Sequence, residues 1–141
     1  MEQLDEKEAA KIAATSLAAA QQKSLEMLFD YTKFHIGLYL TLTASYIAAA
    51  ALKIREGVHL PLEPRLVVPA VICFMLAGLA GGVIASSITQ TETRSSKAFL
   101  SEQIGPWDVK ALRLKALHWT WIEHTAFWLG LVLAALSAAF G

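Results

Sequence analysis

The feature that most constrains this chain is residues 66–90, LVVPAVICFMLAGLAGGVIASSITQ, a run without a single charge. At about 1.5 Å of rise per residue it exceeds the roughly 30 Å of hydrocarbon in a bilayer, so it reads as a membrane-spanning helix. Residues 34–52, FHIGLYLTLTASYIAAAAL, form a second such run, closed by Lys53 and Arg55. The third, TAFWLGLVLAALSAAFG at 125–141, is shorter and reaches spanning length only with WTWIEH, residues 119–124, drawn into the headgroup zone. Trp119, Trp121 and Trp128 suit that zone, where amphipathic rings are favoured, and are read as interfacial anchors. With 55% hydrophobic and only 17% charged residues in a chain of 141, an ordinary water-soluble domain is excluded.

The expected fold is all-α and integral to the membrane, with three transmembrane helices. Spans at about 34–52 and 66–88 form a hairpin over 34–90, and the third span occupies 119–141. Residues 1–33 contain neither glycine nor proline and are rich in alanine, glutamate, lysine and leucine, so a long helix is predicted to run straight into the first span. Residues 91–118 are read as a helical segment leading into the third span, with a short helix ending near Gly105, a new one starting at Pro106 and helix throughout from Asp108. No strand is predicted. The loop KIREGVHLPLEPR between the first two spans holds Pro61 and Pro64 and reads as a rigid turn, and Pro69 is expected to start the second helix.

Lysine and arginine set the expected orientation. Lys7, Lys11, Lys23 and Lys33 precede the first span, and Arg94, Lys97, Lys110, Arg113 and Lys115 lie between the second and third. Only Lys53, Arg55 and Arg65 stand in the other loop. This asymmetry places residues 1–33 and 91–118 in the cytoplasm and the C-terminus outside, in a multi-pass protein of the bacterial inner membrane. Lys33, Arg113 and Lys115 are the basic anchors nearest the headgroups. The mixed-charge start, MEQLDEKE, differs from the short basic start of a signal peptide, so the first run is expected to remain as an anchor.

Twelve bases balance twelve acids, which removes the electrostatic footprint of a nucleic-acid binder. One cysteine, Cys73, excludes an intramolecular disulfide framework and reads as an inert packed thiol. No phosphate loop, dinucleotide turn or HExxH helix is present, and no cofactor or metal is called for, so the chain reads as non-enzymatic. No span carries an acid or base at its midpoint, where proton relays and ion-coupled transporters place them.

Two groups of residues stand out. Small side chains recur every four residues as Gly37, Thr41 and Ser45, as Gly78, Gly82 and Ser86, and as Ala126, Gly130 and Ala134. In lipid, such stripes let helices approach closely, within one chain or between copies. Polar rings gather near the expected cytoplasmic boundary: Tyr31, His35 and Tyr39 share a helix face, and Glu123 and His124 open the third span. They read as an interfacial belt, as a proton-sensitive gate, or as a haem or quinone site, His35 and His124 being the haem ligands. The functional expectation is a self-associating membrane protein, a homo-oligomeric pore, channel or membrane-permeabilising effector. The alternative is an accessory or scaffolding subunit that docks a cytoplasmic protein through residues 1–33; a haem or quinone-binding subunit is a third.

Overall fold

The computed structural model describes residues 2–56, 62–93, 95–106, 109 and 112–141. Pro61 of the rigid turn, Arg94, Asp108 and Lys110 lie outside the described residues. Helix α1 runs unbroken through Glu2–Glu56, α2 through Pro64–Ile88, a short α3 through Ser96–Phe99 and α4 through Ala116–Phe140. Among the described residues, α1, α2 and α4 are long and apolar enough to cross a membrane. The 55 residues of α1 make a rod about 82 Å long. Its continuity follows from composition, since no helix breaker interrupts it before the isolated Gly37.

Helix α2 is the centre of the bundle and packs against both α1 and α4. Its buried residues include Val67, Ala70, Phe74, Ala77, Gly81, Ile84 and Ile88, at steps of three and four. The buried residues of α4, Ala116, Glu123, Gly130 and Ser137, recur every seven. These are the seams of helices meeting at shallow angles with interlocking side chains. The fit is tight where Phe74 fills the space left by Gly130, since a Cβ there would come within 2.8 Å of the ring. The seam of α2 therefore lies beside the predicted stripe: Gly78 and Gly82 are half-buried and Ser86 is exposed. On α1, Gly37, Thr41 and Ser45 face outward, whereas Ala126 and Ala134 are half-buried beside Gly130. Of the three stripes, Gly130 lies in the buried seam, which small residues such as Ala77, Gly81 and Ser137 share with Phe74 and Ile84.

Helix α2 starts at Pro64, with Glu63 as N-cap, so Pro69 lies inside the helix instead of opening it. The missing N–H of Pro69 would have served the carbonyl of Arg65, still within the first turns. Where α2 begins, the Glu63 N–H donates to the Ser137 carbonyl at 2.8 Å and the Ser137 hydroxyl donates to the Glu63 carbonyl at 3.1 Å. The Lys53 ammonium donates to the Leu62 carbonyl, closing this end.

The segment after α2 departs most from expectation. Among the described residues of 91–118 there is one turn of α3, then strand β1 (Gln103–Ile104) paired antiparallel with β2 (Leu114–Lys115), with short 3₁₀ turns at Pro106 and Leu112 between the strands. Helix α4 begins at Ala116, not at Asp108. The physical reason is the return at Gly105, where a Cβ would meet the Leu112 carbonyl oxygen at 2.9 Å. This hairpin also caps α4, whose N-cap Lys115 makes no side-chain capping bond. The Ala116 N–H donates to the Glu102 carbonyl at 2.8 Å and the Leu117 N–H to the Leu100 carbonyl at 3.0 Å. Two donors that a helix start leaves orphaned are thereby satisfied. Beneath the hairpin, Ile84, Ile88, Phe99, Ile104 and Ala116 form a buried core, with Leu25, Leu28 and Phe29 of α1 packed against it.

Candidate functional site

Helices α1 and α4 flank α2 and reach each other through side chains, and all three tyrosines of the chain make that reach. The Tyr39 hydroxyl donates to Glu123 Oε1 at 3.0 Å, Tyr31 bonds His124 Nε2 at 3.3 Å, and the Tyr46 hydroxyl donates to the Ala134 carbonyl at 3.2 Å. Their positions on α1, eight and seven residues apart, keep all three on the side turned to α4.

The structure brings Tyr31, His35, Tyr39, Glu123 and His124 into one cluster. His35 lies 3.9 Å from the Tyr31 ring centroid, 5.8 Å from that of Tyr39 and 6.3 Å from that of His124. Glu123 and Tyr39 are each 1% exposed. A belt of interfacial side chains would leave such groups wet; here the carboxylate and the phenol are enclosed by the bundle. Gly81 makes the space, because a Cβ on it would stand 3.0 Å from Ile36 and 3.6 Å from Glu123 Oε1. Phe127, 5.0 Å from Tyr39, closes the apolar floor.

The histidines are fixed by their own helices. His35 Nδ1 lies 2.8 Å from the Tyr31 carbonyl and His124 Nδ1 2.8 Å from the Thr120 carbonyl. A carbonyl only accepts, so each Nδ1 carries the hydrogen, and in the neutral ring His124 Nε2 accepts from the Tyr31 hydroxyl. Haem iron held between His35 and His124 would need that same Nε2 lone pair, so it would have to displace the Tyr31 bond. Beside the cluster, an apolar groove of about 760 Å³ runs along α4 past Trp121, His124 and Trp128. Among the described residues its walls are Leu117, Thr120, Trp121, His124, Thr125, Trp128, Leu129 and Val132.

The remaining predicted residues separate by position. Trp121 and Trp128 are exposed, but Trp128 sits twelve residues into α4, near its middle and away from any headgroup zone at its start. Trp119 is half-buried, and its indole N–H donates to the Ile104 carbonyl at 3.1 Å, pinning the hairpin to α4. Lys33 and Lys115 are exposed, Lys33 lying 5.9 Å above the Phe29 ring, and Arg113 is exposed beside β2. The Thr41 hydroxyl turns back to the Gly37 carbonyl and that of Thr43 to the Tyr39 carbonyl, which mutes their polarity.

Three residues important to the site were not singled out in the sequence. Tyr46 sits seven residues after Tyr39, a spacing that signals a shared face. Gly81 and Phe127 carry no such signal, since their roles depend on what lies opposite. No protein-family model, curated protein or solved structure matches this chain.

Proposed function

We propose that this chain is a self-associating protein of the bacterial inner membrane, with its N-terminus in the cytoplasm, that forms a homo-oligomeric pore gated at the Tyr39–Glu123 pair. One observation carries the reading: a carboxylate 1% exposed, held by a phenol inside a helix apolar enough to span. Ionisable groups enclosed within membrane-spanning helices are costly and mark pathways or switches in membrane proteins. The pair is the buried one of three tyrosine bridges between the two outer helices of the bundle, so parting it loosens α1 from α4 at the centre of that contact. The spans are mostly apolar apart from this cluster, so a closed pore built from them would exclude water by dewetting.

The test is dye and ion release from liposomes containing the purified full-length chain. Release by the native chain, with altered open probability in Tyr39→Phe and Glu123→Gln, is expected. Liposomes that stay tight under every pH, potential and lipid composition tried overturn the pore.

A second reading rests on a different observation. The part of α1 before residue 24 stands largely clear of the bundle, with Leu17 60% exposed. As a scaffolding subunit the chain docks a cytoplasmic protein there. Deleting residues 2–20 then abolishes co-purification of that protein while membrane insertion persists; unchanged co-purification excludes it.

A further inference from the structure

Each histidine of the cluster has one ring nitrogen already committed. His35 Nδ1 gives its hydrogen to the Tyr31 carbonyl and His124 Nδ1 to the Thr120 carbonyl, each across 2.8 Å. A neutral imidazole carries a single N–H, so either ring can take up a further proton only at Nε2. In His124 that is also the atom that holds Tyr31, at 3.3 Å, and ties α4 to α1. In His35 it makes no hydrogen bond among the described residues. Both rings are half-buried, beside the enclosed bond between Tyr39 and Glu123.

Few titratable groups face His124. From α1 it meets the Tyr31 ring, stacked at 6.4 Å between centroids, and the His35 ring at 6.3 Å. On its own helix the neighbouring acid is Glu123, whose Oε1 accepts from Tyr39. Between Leu66 and Ile88, helix α2 brings only Cys73, which lies beside Gly130, six residues further along α4. Asp30 and Lys33 on α1 and His118 on α4 are exposed. In the hairpin, Lys115 is also exposed and stands nine residues before His124.

We propose that proton uptake at His124 Nε2 is the trigger that parts α1 from α4. The inference rests on the gate proposed above and names its signal. In the neutral ring Nε2 accepts from the Tyr31 hydroxyl; once protonated it only donates, so the bond in its present sense is lost. A cation placed there needs water or the carboxylate beside it. Water solvates it fully only when α1 draws back. Glu123, the other partner, is drawn toward the cation and away from the Tyr39 hydroxyl. Both routes undo a bridge between the outer helices. A proton on His35 acts in the same sense, because two imidazolium rings with centroids 6.3 Å apart repel. Histidine titrates between about pH 5 and 8, so the closed bundle belongs to the upper end of that range and the open one to the lower.

The test uses the full chain in liposomes, with Cys73→Ser as background and spin labels on Leu40→Cys of α1 and Trp121→Cys of α4, positions 60% and 66% exposed. The distance between the labels is read by electron double resonance from about pH 8 to about pH 5, and dye release is followed in parallel. The distance is expected to lengthen as the pH falls. In His124→Gln, whose amide keeps a partner for Tyr31 but takes no proton, it is expected to stay at its high-pH value. His35→Gln is expected to retain the response. A distance that ignores pH, a response undiminished in His124→Gln, or one removed equally by His35→Gln overturns the trigger. Release that proceeds alike at every pH, with the distance fixed, overturns the trigger and leaves the pore standing. Lengthening in liposomes that stay tight overturns the pore and leaves the proton switch standing.

Discussion

The two halves of α1 obey different rules. From Thr32 to Lys53 the helix is one wall of a bundle and owes its position to what it buries: Tyr39 on Glu123, Ile36 over Gly81, Tyr46 on Ala134. Before Ser24 it is a rod whose helicity comes from alanine-rich composition and whose larger apolar side chains, Ile12 and Leu17, are 67% and 60% exposed. In the first half a substitution acts on the fold. In the second it acts on whatever the rod touches. One continuous helix thus joins a self-sufficient bundle to a surface that lacks a partner within the monomer.

The largest expected effect that sharpens this contrast is in the bundle. Phe74→Ala removes a ring 2% exposed, wedged against Phe127 and Gly130, and is expected to cost about 3–5 kcal/mol in reversible unfolding in detergent. A loss below about 1 kcal/mol would mean that this seam is not the core. Gly130→Ala pushes a methyl into the same ring and is expected to cost about 1–3 kcal/mol, whereas Gly82→Ala, with nothing within 4 Å, stays within about 1 kcal/mol of the native chain. Equal effects at the two glycines would break the distinction between seam and stripe.

Tyr39→Phe leaves Glu123 without its donor in a closed environment, and is expected to cost about 1–3 kcal/mol. The double variant Tyr39→Phe with Glu123→Leu replaces both polar partners and is expected to recover much of that loss, as read by a double-mutant cycle. Additive losses would show that the two groups do not interact. The smallest effect on stability belongs to the rod. Leu17→Ala is expected to change unfolding by less than about 0.5 kcal/mol while lowering association several-fold in co-purification. A large loss of stability there would mean that the rod packs within its own chain.

The sequence made the three long helices legible for a simple reason: each contains an uncharged run about as long as a membrane span. The polar cluster was legible too, because Tyr31, His35 and Tyr39 repeat at one helical face and Glu123 and His124 open the third run at the same depth. Which face of each span is buried was not legible, since a span apolar on all sides carries no phase. Phe74 and Gly130 find each other only in three dimensions. Trp119 looked like a headgroup anchor because its hydrogen-bond partner is a carbonyl on the hairpin, and backbone atoms leave no mark in sequence. The hairpin itself was hidden for the same reason. The start of α4 at Ala116 depends on carbonyls from residues 100 and 102, while Lys115 offers no capping side chain.

The proposed self-association of this chain is tested most directly by the mass of the complex extracted gently from native membranes, read by native mass spectrometry. An integer multiple of the 15.3 kDa chain, free of foreign subunits, is the predicted result. A bare monomer across the same conditions would contradict it.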